Sequence, residues 1–309
     1  MTLTVQTRLL LPLAAITALF SALAVPATAA APIAATTGNL NVDVKTFVSG
    51  LNGQVNGGVY VQADGVDGKK ADVTTSDPNF KIKAINLIKL DNPLQNVFGY
   101  PGWGLVPVPK FPGGNPTCGF IQTQKVGPNT DSFAGSNFCT DIDNTKVKTK
   151  YTAQFNPTAE VKATGALPSN GIAVANGSDP WFFESDSPTV LDLTVDLNDV
   201  LLQAISDSTT EAIAAIETFG SFGFEDSDGS HVLASWSYSD SVFGNTTTGP
   251  YSLNLVNQSF ALEPGIVYEL DTSITSAAAL VPEPSSLILF IPGMFVLGYG
   301  RARHRCKAE

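Results

Sequence analysis

Asp226, Ser227, Asp228 and Gly229 set oxygen-bearing side chains on alternate positions of a tight turn, the arrangement a hard cation such as calcium takes. With Gly229 as the loop glycine of an EF-hand, Phe224 falls on the first ligand position and Ser235 on the last, where carboxylates are needed, so that motif is excluded. Asp226 and Asp228, with Glu225 beside them, remain candidate ligands of another kind of calcium site; the alternative is an ordinary hairpin turn. Asp141, Asp143 and Asn144 form a second oxygen-rich cluster, with a polar loop as its alternative. Phe98, Tyr100, Trp103 and Phe111 lie among prolines and offer ring faces on which sugars stack, or else a self-packed core.

Catalytic chemistry has little material. The chain holds two histidines, His231 and His304, and three cysteines, too few for multi-histidine metal centres, zinc ribbons or a redox CxxC pair. No GxSxG elbow occurs, so a serine hydrolase would pair His231 with a nucleophile of no recognisable motif. The expectation is a protein that is not an enzyme and carries no cofactor beyond a candidate calcium ion. A carbohydrate-active enzyme using two of the abundant carboxylates is the alternative, as is a calcium-stabilised adhesin.

The elements that must position these residues have a period of two. Leu40, Val42 and Val44 alternate with polar residues, as do Leu191, Leu193, Val195 and Leu197, and then Trp236 and Tyr238 against Ser235, Ser237 and Ser239. Asn52-Gly53, Asn56-Gly57, Asp64-Gly65, Asn176-Gly177 and Asp228-Gly229 read as tight turns between strands. The prediction is an all-β, antiparallel β-sandwich, jelly-roll-like, over residues 31–280, with a division into two sub-layers near 92–119. One segment breaks the period: Val200, Leu201, Ala204, Ile205, Ala212, Ile213, Ile216 and Phe219 read as one or two short helices over 199–220.

Both ends read as addresses. Arg8 precedes an uncharged apolar run over 9–25, and Ala27, Ala29 and Ala31 supply the small residues that signal peptidase requires, so residues 1–30 are a signal peptide cleaved after Ala29 or Ala31. At the other end Val281, Pro282, Glu283, Pro284, Ser285 and Ser286 precede an apolar stretch over 287–300, closed by Arg301, Arg303, Arg305 and Lys307. These cations hold the tail on the cytoplasmic side of the inner membrane while the preceding chain is translocated. Fourteen apolar residues at about 1.5 Å each reach about 21 Å, short of the roughly 30 Å hydrocarbon core, so the transmembrane helix is a weak anchor.

Residues 281–309, VPEPSS followed by an apolar helix and an arginine-rich tail, resemble the PEP-CTERM sorting signal. That resemblance implies recognition and removal by the membrane protease-transpeptidase exosortase in a bacterium producing exopolysaccharide, and release or attachment of the mature protein at the cell surface. The expected role is structural, in a matrix of extracellular polysaccharide or biofilm. Export leaves Cys118 and Cys139 as the two thiols in an oxidising compartment, so a disulfide between them is expected, while Cys306 stays in the cytoplasm. Between the addresses there are 12 lysines, no arginine and 26 acids, and every lysine lies between Lys45 and Lys162. A charge of this sign excludes an extended contact with nucleic acid phosphates.

Overall fold

The computed structural model describes residues 31–47, 51–64, 69–77, 82–85, 117–144, 149–165 and 169–282. In chain order the strands are β1 (Ile33–Thr46), β2 (Leu51–Ala63), β3 (Lys69–Asp77), β4 (Ile82–Ile85), β5 (Thr117–Val126), β6 (Thr130–Asn144) and β7 (Thr149–Phe155). They continue with β8 (Thr158–Ala163), β9 (Gly171–Ser185), β10 (Thr189–Ile205), β11 (Thr210–Asp226), β12 (Gly229–Phe243), β13 (Thr246–Leu262) and β14 (Val267–Pro282). They form two antiparallel seven-stranded sheets. The first runs β13-β10-β1-β7-β6-β5, with β8 between β1 and β6; the second runs β12-β11-β14-β9-β2-β3-β4. Contacts of β6 with β9 and β2, and of β1 with β14 and β11, stack one sheet on the other as a β-sandwich.

Alternation drives this arrangement, since a strand with apolar residues at every second position can bury one face only by packing on another sheet. Leu40, Val42 and Val44 lie opposite Leu197, Val195 and Leu193, and all six side chains are buried. Strands β7 and β8 keep one register along β1 and occupy a single strand position. Pro157 interrupts it because proline has no N–H to give the ladder, and Asn156 bridges the break by exchanging backbone hydrogen bonds with Asn137 at 2.9 and 3.4 Å.

Three of the glycine dipeptides are not turns. Asn56-Gly57 lies inside β2 and Asn176-Gly177 inside β9, where each glycine admits a ring from the facing sheet. A Cβ on Gly57 would stand 1.8 Å from Phe138 Cε1, and one on Gly177 would stand 2.7 Å from Phe155 Cδ1. The two phenylalanines stack with centroids 4.7 Å apart and planes 11° apart, so a pair of bulky residues on one sheet keys into a pair of absences on the other. Asn52-Gly53 also lies within β2, whereas Asp228-Gly229 closes the β11–β12 hairpin as expected.

The expected helices over 199–220 are absent; that segment is the end of β10, a turn, and most of β11. Opposite Thr37 and Asn39 of β1 stand Leu201 and Asn198, so β10 carries one extra residue there, and Asp199 takes a positive φ of 53°. This β-bulge moves the buried positions from 191, 193, 195 and 197 to 200, 202 and 204. The phase change, together with half-exposed Leu201, Ile205, Ile213 and Phe219 on the outward faces, creates the spacing of an amphipathic helix in a chain that is extended. The Ser206 to Thr209 turn is fixed by Asp207, whose Oδ1 accepts from the Thr209 and Thr210 N–H groups at 2.8 and 2.9 Å.

Gly57→Ala should lower the stability of the sandwich by about 1–3 kcal/mol through overpacking against Phe138. Denaturant unfolding checks this, and adding Phe138→Leu in the same chain should recover part of the loss.

Candidate functional site

The Asp226 and Asp228 pair sits at the tip of the β11–β12 hairpin. Asp226 Oδ1 accepts from the Asp228 N–H at 2.8 Å and from His231 Nε2 at 3.0 Å, and these contacts, the Asp228 amide foremost, lower its carboxyl below the usual range. The His231 ring stacks on Phe224 with centroids 4.7 Å apart. One carboxylate oxygen of the candidate calcium pair is therefore engaged in holding its own turn. Among the described residues no three His, Cys, Asp or Glu side chains gather in a way that could hold a metal ion. Asp141, Asp143 and Asn144 belong to strand β6 and not to a loop.

Several sequence-predicted residues lie outside the described residues: the signal-cleavage residues Ala27 and Ala29, the aromatics Phe98, Tyr100, Trp103 and Phe111, the sorting residues Glu283, Pro284, Ser285 and Ser286, and the basic Arg301, Arg303, Arg305 and Lys307. Val281 and Pro282 are described, as the last residues of β14, opposite Glu211 and Thr210 of β11. Cys118 of β5 stands directly opposite Cys139 of β6 in the register, and Cys139 is buried.

The most extensive grouping of hydrogen-bonding side chains is one that motif reading passes over, because long-range register assembles it. On the outward face of the first sheet, the register aligns Gln154, Asn41, Asp196 and Asn254 across β7, β1, β10 and β13. The neighbouring row aligns Thr152, Asp43, Thr194 and Asn257, and the next Lys150, Lys45, Asp192 and Ser259. Rows of this kind repeat at about 4.8 Å between strands and about 6.8 Å along them. Each carboxylate is oriented by a donor on the adjacent strand: Asn254 Nδ2 to Asp196 Oδ1 at 2.7 Å, Ser259 Oγ to Asp192 Oδ1 at 2.5 Å, and Thr152 Oγ1 to Asp43 Oδ1 at 2.7 Å. Lys150 Nζ lies 3.6 Å from Asp43 Oδ1. Asn41 Oδ1 and, a row further on, Asn39 Oδ1 are buried and have no hydrogen-bond partner. Oriented carboxylates beside amides and hydroxyls supply acceptors and donors together, the inventory needed to hold polyhydroxylated chains. The sequence signals for this face are the alternations of β10 and β1, which mark Asp192 and Asp196, and Asn41 and Asp43, as the wet sides of strands.

A second polar group lies between the sheets. Asp179 of β9 is buried, accepts a short hydrogen bond from the Tyr151 hydroxyl, and leaves its Oδ1 without a partner. Burial, together with the nearby Asp271 and against the opposing effect of the Tyr151 bond, pushes its carboxyl up to about 7. Burial and the Asp179 charge raise the Tyr151 phenol well above its ordinary value. Glu160 lies on the other face of β8, away from the inter-sheet residues Ala159, Val161 and Ala163; it is 1% exposed with Oε1 unpartnered, and burial pushes it up to about 8, with Lys162 opposing. Tyr151 continues into a file of rings, with Trp181 at 4.2 Å, Phe183 at 4.4 Å from Trp181, then Phe222 and Tyr268, each 5.9 Å from Phe183.

Comparison with protein-family models, with curated proteins and with solved structures finds no match for this chain.

Both raised carboxyls are neutral in the folded state where they would be ionised in the unfolded chain, so they favour folding fully below about pH 4. That contribution is lost as pH rises through about 7 and 8. Thermal unfolding of the wild type should show stability falling by a few kcal/mol over this window. Asp179→Asn should remove the part of the fall that runs from about pH 4 to about pH 7.

Proposed function

We propose that the protein is an exported, non-enzymatic component of an extracellular polysaccharide layer, whose β-sandwich presents a hydrogen-bonding face to neutral glycan chains. The observation that carries the molecular part is the set of aligned rows on β7, β1, β10 and β13, in which Asp43, Asp192 and Asp196 are each held by a cross-strand donor. Such carboxylates reach a hydroxylated polymer already oriented, so binding orders fewer side chains.

Delivery follows from the two addresses. Signal peptidase removes residues 1–30, the chain pauses in the inner membrane, and exosortase acts at VPEPSS before surface release or attachment. Val281 and Pro282, the first residues of the sequence resembling the sorting signal, are the last described residues of β14. The oxidising destination suits a cystine between Cys118 and Cys139. Antiparallel register partners have Cα atoms about 4.5 or 5.5 Å apart, both within the range a disulfide spans.

Binding of the purified protein to immobilised neutral polysaccharides tests the molecular reading. Asp192→Ala combined with Asp196→Ala should weaken binding about tenfold or more at unchanged melting temperature; unaltered binding, or hydrolysis of the bound polymer, would refute it. Mass spectrometry of surface protein should find chains that end before Arg301, and intact tails would refute removal. Cysteine alkylation with and without reductant should detect the cystine. Cys139→Ser should destabilise the protein by about 3 kcal/mol, the effect of opening a closed loop of about 20 residues.

A further inference from the structure

Resting on the proposed delivery by two membrane addresses, we infer that the sandwich stands end-on to a phospholipid surface, with both chain ends leaving from its base and the polar rows held at the far end. The base is the end at which Ile33 begins β1 and Pro282 closes β14. Ile33 pairs with Ile205, the last residue of β10, and Pro282 pairs with Thr210, the first residue of β11. Only the turn of residues 206–209 separates those two partners. Strand β1 also lies over β14, since Thr36 Oγ1 donates to the Ala277 carbonyl at 2.8 Å close to both exits. Packed sheets stand about 10 Å apart, so the two exits are neighbours. Ala31 is exposed where the chain enters, and the Pro32 carbonyl is already held by the Ala163 N–H at 2.9 Å. The sandwich can therefore close while the apolar runs at 9–25 and 287–300 are both still in the membrane.

The connections at this end are tied to one another across both sheets. The Asn129 carbonyl, in the β5–β6 turn, accepts from the Thr164 N–H at 2.9 Å and from Ser169 Oγ at 3.2 Å, and the Ser169 N–H donates to Thr210 Oγ1 at 3.2 Å. Ser206, in the β10–β11 turn, donates from Oγ to the Gly244 carbonyl at 3.0 Å and from its N–H to Asn245 Oδ1 at 2.9 Å. Thr210 is also the register partner of Pro282, so a pull on the carboxyl exit is passed to turns that join both sheets. The base holds its two exits as one piece.

A short tether and the placement of charge then set the posture. Residues 283–286 are all that separates Pro282 from the apolar run, a reach of at most about 18 Å, whereas β14 is about 50 Å long. The far end can approach the surface only if the sandwich lies on its side. Neither broad face suits that. The outward face of the second sheet carries Glu184, Glu211, Glu217, Glu225, Glu269 and Asp271, whose charges would lose hydration against headgroups and are repelled by anionic lipid. The outward face of the first sheet carries Asp43, Asp192 and Asp196. At the base the signs are nearly balanced, with Lys125 and Lys162 beside Asp64, Asp131 and Asp207. Upright, the rows aligned on Asn41, Asp43 and Lys45 stand about 27, 34 and 41 Å above Ile33 along β1, presented to the layer outside the membrane.

Fluorescence energy transfer on the full-length chain in vesicles of phosphatidylethanolamine and phosphatidylglycerol, with acceptor dyes on the headgroups, tests this posture. Ser208 and Ser227 are exposed and lie just before and just after β11, so a donor dye on a non-natural residue at one or the other reports the two ends of a single strand. Transfer should be about fivefold or more higher from position 208 than from 227, given the roughly 55 Å that β11 spans. Equal transfer from vesicle-bound chain, or more from 227, would overturn the end-on posture and leave the membrane addresses standing. A chain that does not float with the vesicles would overturn the addresses and the posture together. Limited proteolysis of the unsubstituted chain checks the shared exit: with residues 1–30 still attached and vesicle-bound, it should leave the same resistant core, about residues 31–282, as a chain lacking them, and digestion of that core only in the uncleaved chain would refute it.

Discussion

The sandwich depends on how closely its two sheets can approach, and that distance is set where Phe138 and Phe155 meet Gly57 and Gly177. Sheets pack about 10 Å apart when their side chains interdigitate, and two stacked rings fill that gap only if the facing positions are empty. Gly57 lies in β2 and Gly177 in β9, with the two phenylalanines on β6 and β7. The contact therefore joins four strands from both halves of the chain and fixes one sheet over the other. The rest of the aromatic file, from Tyr151 through Trp181 and Phe183 to Phe222 and Tyr268, follows from that seating.

The same seating explains a buried acid between the sheets. Tyr151 points from β7 into the sandwich two residues from Ala153 and four from Phe155, so its hydroxyl must find a partner on the opposite sheet. Asp179, two residues from Trp181 on β9, supplies it. A buried carboxyl is costly when ionised, and neutrality is the less costly state, which is why burial outweighs the Tyr151 hydrogen bond in placing the Asp179 proton.

Much of this was legible in the residues, and what was not has identifiable causes. The alternation of Leu191, Leu193, Val195 and Leu197 names β10, its buried face and its wet face, and Asp228-Gly229 names the β11–β12 hairpin. The Asn-Gly dipeptides at 56 and 176 misled because glycine serves both turns and close approaches, and only the identity of the facing side chain decides between them. The false helix over 199–220 arose from the bulge at Asp199, which changes the phase of burial midway through one strand. The polar rows were beyond reach for a different reason. Asn41, Gln154, Asp196 and Asn254 are scattered over more than 200 positions, and only the pairing of β1 with β7 and β10, and of β10 with β13, collects them.

Chain order also sorts charge. Strands β9 to β14 contain no lysine, and they include every strand from β12 through β9 in one sheet and the β13–β10 end of the other. The lysines of the described strands lie in β1, β3, β4, β5, β7 and β8. The polar face straddles this divide: Lys45 of β1 stands between Asp192 of β10 and Lys150 of β7, and Lys150 pairs with Asp43. A surface of interleaved signs gives a polyanion no sustained attraction, since each favourable contact is followed within a strand or two by an opposing charge. A neutral hydroxylated chain meets no such alternation of gain and loss. Its hydroxyls can donate to carboxylates and accept from amides, and it is the placement of β1 between the two halves of the chain that interleaves the signs on this face.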